Sequence, residues 1–166
     1  MSIIDISLSL HPDFPVWPGH PEIRFERIQE IGKGSKANVT QIELGVHSGT
    51  HLDAPLHFLN GGFDVTSVNL ETLIGPALLD EVSDVQVINA AILETLSISQ
   101  DTERLLIKTS NSQLWSENKT DFHTNFVAIS NSGAKWIVEH GIRLVGVDYL
   151  SVAPYGNSEP THRTLL

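Results

Sequence analysis

Apolar and polar positions alternate along the first third of the chain, and apolar residues gather in short blocks along the last third. Residues 3–8 set Ile and Leu against Asp and Ser, the period of a strand. Pro12, Pro15, Pro18, Gly19 and Pro21 then punctuate a loop around Trp17. Residues 23–31 again suit a strand, residues 33–36 a turn, and residues 39–51 one long strand. Residues 60–62 mark a further turn, residues 75–80 a short apolar strand, and residues 90–96 a short helix that Asn89 is placed to cap. Residues 105–109 and 126–129 are apolar runs of the buried-strand kind. A helix is predicted between Ser130 and Gly141, with Ser130 or Ser132 as N-cap and Gly141 closing it. Residues 144–147 form another buried strand, and strand, helix, strand at this spacing predicts a right-handed βαβ crossover. With no internal repeat, linker or low-complexity segment, the pattern predicts one mixed α+β domain over residues 1–166.

Chemistry concentrates in the predicted long strand and just beyond it. His47, His51, Asp53 and His57 all fall at odd positions, so in an extended chain their side chains share a face. Val46, Ser48, Thr50 and Leu52 would pack on the other side. A helix would also align residues four apart, but Ser48-Gly49-Thr50 is a poor helical run and Pro55 would break it. Gly49 is expected to leave room for an ion or substrate, and Pro55 to end the strand and turn His57 back over the site. Histidine nitrogens and a carboxylate are the usual ligands of a catalytic zinc or similar divalent ion. A lone histidine is most often ordinary core or surface; three in phase with an aspartate point to metal.

A chain of 166 residues, 40% hydrophobic and 18% charged, is long enough for one domain with a real core. It holds no cysteine, which excludes disulfides, cysteine zinc fingers and a cysteine nucleophile and fits a reducing compartment. The N-terminus has no basic region of the signal-peptide kind, and no apolar run is long enough for a membrane span, so the expected place is the cytoplasm. Between Lys36 and Arg104 there is no Lys or Arg, while ten acids lie there; the net charge of −10 therefore sits around the histidine cluster. That leaves no basic stripe for nucleic acid and favours a divalent cation nearby. No serine-hydrolase elbow, dinucleotide fingerprint, P-loop or His-Glu-x-x-His is present.

The stretch His47-Ser-Gly-Thr-His51-Leu-Asp53-Ala-Pro-Leu-His57-Phe58 closely resembles the signature of the cyclase-like metal-dependent hydrolases, which include the bacterial kynurenine formamidases and isatin hydrolases. Asp5-Ile-Ser and Pro15-Val-Trp-Pro-Gly19 are similar to that family's first strand and substrate loop, and Leu106 to Asn111 to its central strand. Val145 to Ser151 and His162-Arg-Thr-Leu-Leu166 are similar to its late strand and second histidine motif.

The resemblance implies a mixed β/β/α fold of the swivelling-domain type, in dimers or higher oligomers such as tetramers, acting on a small-molecule substrate. It implies a divalent ion or a pair of them, zinc before manganese. His47 and His51 would hold the first ion, Asp53 would bridge, and His162 would hold the second. His57 would be the acid/base, and Trp17 would line a pocket for an aromatic substrate. The reaction would be hydrolysis of an amide, formamide or cyclic amide by water that the ion activates, with His57 moving protons near neutrality.

In that family a glutamate on a following strand also bridges the ions, whereas here Leu166 closes the sequence four residues after His162. The expectations drawn from this are a C-terminally short domain with exposed sheet edges, one tightly held ion at most, and His162 mobile or turned away. A metal-binding but inactive relative is then the alternative to a hydrolase, and a structural subunit the weaker third reading. Asp148, ending an apolar strand, either orients a ligand histidine or caps the next turn. His11, His20, His123 and His140 have no patterned neighbours and are expected at the surface or at helix ends, His140 at the negative end of a helix dipole.

Overall fold

A computed structural model of the chain describes residues 5–116 and 120–166. In chain order the elements are β1 (Arg24–Gln29), β2 (Val39–Glu43), α1 (Leu70–Leu73), β3 (Leu78–Glu81), β4 (Val87–Ile88), α2 (Ala90–Thr95), β5 (Arg104–Lys108), α3 (Ser112–Ser116), β6 (Ala128–Ile129), α4 (Asn131–Glu139), β7 (Leu144–Val147) and α5 (Glu159–Leu165). The fold is the mixed α and β arrangement that the pattern predicts. Backbone contacts divide the described residues into two compact units, one holding 5–52 with 120–122, the other 53–116 with 123–166.

In the first unit β1 and β2 form an antiparallel ribbon, Arg24 opposite Glu43 and Phe25 opposite Ile42. A register shift between Arg27 and Gln29 marks a bulge. A 3-10 turn, Ile31–Lys33, joins them, closed by Gly34 at φ 92°. The predicted strand over residues 39–51 therefore ends at Glu43. Its only ladder partner begins at Arg24, and the chain before it carries Pro21 and Pro18, which have no N–H to offer a longer ladder. Of the strand predicted over residues 3–8, the first two lie outside the described residues and 5–8 form none. There Asp5 accepts from the Ser7 hydroxyl and N–H, at 2.6 and 2.9 Å, and Leu8 N–H donates to Thr50 Oγ1, at 3.0 Å, instead of to a strand.

The second unit holds a parallel sheet in the order β3-β5-β7 and a short parallel pair, β4-β6. Ile88, Leu93, Leu105, Ile107, Ile129, Ala134 and Ile137 form its dry core. Asn89 caps α2 by accepting from Ile92 N–H at 3.0 Å, and Ser130 caps α4 by accepting from Gly133 N–H at 3.3 Å. A Cβ on Gly133 would stand 2.6 Å from the Ile88 carbonyl, so glycine alone lets α4 start this close to β4. The βαβ crossover predicted from residues 126–147 does not form as one unit: β6 pairs with β4, whereas β7 pairs with β5. Ser130, already committed as the α4 cap, gives its own N–H to the Ile88 carbonyl at 2.9 Å and ties β6 to the other ladder. Among the described residues no helix is long and apolar enough to cross a membrane.

Candidate metal centre

Beyond β2 the chain bends through residues 44–50 instead of running extended, so strand alternation is not what aligns the ligands. Gly49 sits at φ 64°, a left-handed conformation that costs a side chain energy. A Cβ there would lie 2.5 Å from Leu10 Cδ2. The space expected beside Gly49 thus belongs to Leu10, not to an ion. The His47 and His51 rings meet edge to face, centroids 5.3 Å apart, and His20 lies 6.4 Å from His47. His51 Nδ1 is 2.9 Å from the Gly49 carbonyl. A carbonyl only accepts, so Nδ1 carries a proton and Nε2 is the nitrogen that a metal would take.

Pro55 opens a 3-10 turn, Pro55–His57, whose fixed φ suits that first position. The turn presents His57 to solvent, and His57 N–H donates to the Ala54 carbonyl at 2.9 Å.

In the same unit α5 carries His162, with Pro160 in its first turn. His162 is buried, 4% exposed, and its Nδ1 donates to the Ser158 carbonyl at 2.8 Å. Its Nε2 lies 3.8 Å from Asp53 Oδ2. His162 is therefore not turned away, contrary to the expectation drawn from its place near Leu166; its helix packs it inward. The His57 and His162 rings stand perpendicular, centroids 5.8 Å apart.

Within the second unit Asp53, His57 and His162 each offer one ligand atom, and these atoms lie within 4.8 Å of one another. Two ligands each about 2.1 Å from one ion lie up to roughly 4 Å apart, so small side-chain shifts bring such atoms onto an ion. Imidazoles with carbonyl-bound Nδ1–H and a carboxylate are the donor types that zinc, manganese or a similar divalent ion takes. The residues fit the group.

Trp17 is half-buried, edge-on to Phe122 with centroids 5.1 Å apart. Among the described residues Asp148 makes no hydrogen bond to a histidine. It accepts from the N–H and hydroxyl of both Thr109 and Ser112, at 2.7 to 3.0 Å, and so caps the turn into α3. His140 does cap α4, with Nδ1 2.8 Å from the Trp136 carbonyl. His123, expected at the surface, is half-buried, with Nε2 buried and without a hydrogen-bond partner among the described residues. Its N–H donates to Tyr149 Oη at 2.7 Å, and burial pushes the Tyr149 phenol above its usual range. The contacts of Phe58 and Ser158 with His162 escaped sequence reasoning; Phe58 ends the motif and Ser158 precedes α5, but only folding joins them.

The Cyclase family model matches residues 4–154. Cyclase-like protein 3 of Arabidopsis thaliana is 42% identical over 171 residues, covering 99% of this chain, and the chain spans 63% of that relative's length. The kynurenine formamidase of Geobacillus thermodenitrificans is 36% identical over 163 residues, covering 98% of this chain and 76% of the relative. A solved structure described as a potential metal-dependent hydrolase with cyclase activity superposes with a TM-score of 0.78 at 30% identity, covering 98% of this chain and 75% of that one. A histidine–aspartate motif, a second histidine brought onto its aspartate, and likeness over nearly the whole length agree: the chain belongs to the cyclase family.

Proposed function

We propose that this chain is the metal-binding part of a hydrolase that cleaves a small amide, an aryl formamide before a cyclic amide. The observation that carries the reading is Asp53, which lies within ligand distance of His57 and of the distant His162. Likeness to a kynurenine formamidase supports the formamide class. A divalent ion, zinc by preference, would be held by His47, His51 and Asp53, with His162 as a further ligand. When bound, such an ion lowers the pKa of its water from 15.7 towards about 7 and polarises a carbonyl.

The residues of the chain supply the rest. The carbonyl-bound Nδ1 of His51 and of His162 sets the tautomer of each imidazole, so each needs little reorganisation. His57, exposed on its 3-10 turn, takes the proton of the attacking water and returns one to the departing amine. Trp17 offers an indole face to an aromatic substrate.

The test is hydrolysis of N-formylkynurenine, formanilide and isatin by the zinc- or manganese-loaded chain, followed by absorbance. Turnover should vanish with a chelator and return with metal. A chain that holds metal yet turns over none of these amides sinks the proposed reaction and leaves the inactive metal binder.

A further inference from the structure

We infer that Phe58 and Arg163 are positioning residues that aim His162 at its ligand direction, a role that rests on the metal-centre reading above. The Phe58 ring lies almost parallel to the His162 imidazole, centroids 4.2 Å apart at 11°. The Phe58 carbonyl accepts a hydrogen bond from Arg163 Nη1 at 3.2 Å, from the residue that follows His162 on α5. Arg163 also reaches Glu159 Oε1 at 3.5 Å, one turn back along the helix.

A histidine ring turns easily about its last torsion, which has broad, two-fold preferences. Two contacts remove that freedom here. The Ser158 carbonyl selects the tautomer by taking the Nδ1 proton, and the Phe58 face selects the ring plane. With both set, Nε2 faces Asp53 Oδ2 at 3.8 Å. The helix is pinned as well. Thr161 Oγ1 donates to the Ile129 carbonyl at 3.1 Å and Thr164 Oγ1 to Asn131 Oδ1 at 2.8 Å, which hold α5 to β6 and α4. Arg163 and Phe58 hold it to the turn that carries His57. One short segment thus supplies Asp53, His57 and the aromatic plate on His162, so its ligands and the distant histidine move as one piece.

The experiment titrates cobalt(II), the metal alone, into metal-free wild type, Phe58→Leu, Phe58→Tyr and Arg163→Gln, reading Kd from visible absorption. Thermal unfolding of the metal-free chains controls for folding, and imidazole nitrogen NMR reports the His162 tautomer and ring order without metal. Phe58→Leu should weaken cobalt binding about tenfold or more, as loss of a group that orients a metal ligand does, and should shift and broaden the His162 signals. Phe58→Tyr keeps the plate and should stay close to wild type. Arg163→Gln should weaken binding severalfold with an unchanged Tm, since its side chain is 52% exposed. If Phe58→Leu fails to fold, Arg163→Gln and Phe58→Tyr still decide. Wild-type Kd and unmoved His162 signals in both Phe58→Leu and Arg163→Gln overturn the positioning role. A wild type that takes up no cobalt overturns the metal reading instead, and the metal-free spectra then show by themselves whether Phe58 orients His162.

Discussion

His162 Nε2 stands 3.8 Å from Asp53 Oδ2, which brings the last helix onto the aspartate of the histidine motif. The gap exceeds a hydrogen bond. It suits two ligands of one ion, because the imidazole already spends its Nδ1 proton on the Ser158 carbonyl. The predictions below follow from this pairing and from the local geometry around it.

His51→Ala removes a nitrogen whose tautomer the Gly49 carbonyl has set for ligation. Elemental analysis should show loss of the proposed ion, and amide hydrolysis should fall to background. Full metal content in this variant would remove His51 from the ligand set.

His57→Gln separates two roles for an exposed imidazole that lies within ligand distance of Asp53 and His162. As the acid/base, its loss should cut kcat by about 10² to 10⁴-fold, the usual worth of such help, while the proposed ion is retained. Steady-state kinetics beside metal analysis checks this. Loss of all metal would recast His57 as a ligand.

Gly49→Ala forces a side chain into a left-handed backbone at φ 64° and sets its Cβ 2.5 Å from Leu10 Cδ2. The backbone part alone should cost about 1 to 2 kcal/mol, read from urea unfolding. Adding Leu10→Ala should recover the part due to the clash and leave the backbone part. Equal stability of Gly49→Ala and wild type would contradict the conformation.

Tyr149 gives a pH dependence with a definite sign. Burial raises its phenol above the usual value of about 10. The folded state therefore holds that proton longer than the unfolded one, so the associated stability is complete below the unfolded pKa and is lost as pH rises through the folded one. Absorbance titration of wild type minus Tyr149→Phe should place its midpoint above that of Tyr in a peptide. A midpoint at or below it would contradict the burial.

What the sequence by itself determined is short in range. Asn89 and Ser130 cap helices because a cap needs only its own next turn. Residues 105–109 form the central strand within one residue, because an apolar run of that length suits a sheet interior, and residues 144–147 form a strand as predicted but a half-buried one at the end of the described sheet. The ligand types were legible too, since histidine and aspartate carry their chemistry wherever they are placed. Their alignment was inferred from the wrong geometry: β2 stops at Glu43, where its partner begins, and bends at residues 44–50, not strand alternation, set the direction of His47 and His51. Which strand pairs with which, why Gly49 must be glycine, and how Ser158 and Phe58 hold His162 on Asp53 were decided only by the tertiary structure. Each of these depends on contacts between residues far apart in the chain, whose proximity no local pattern encodes.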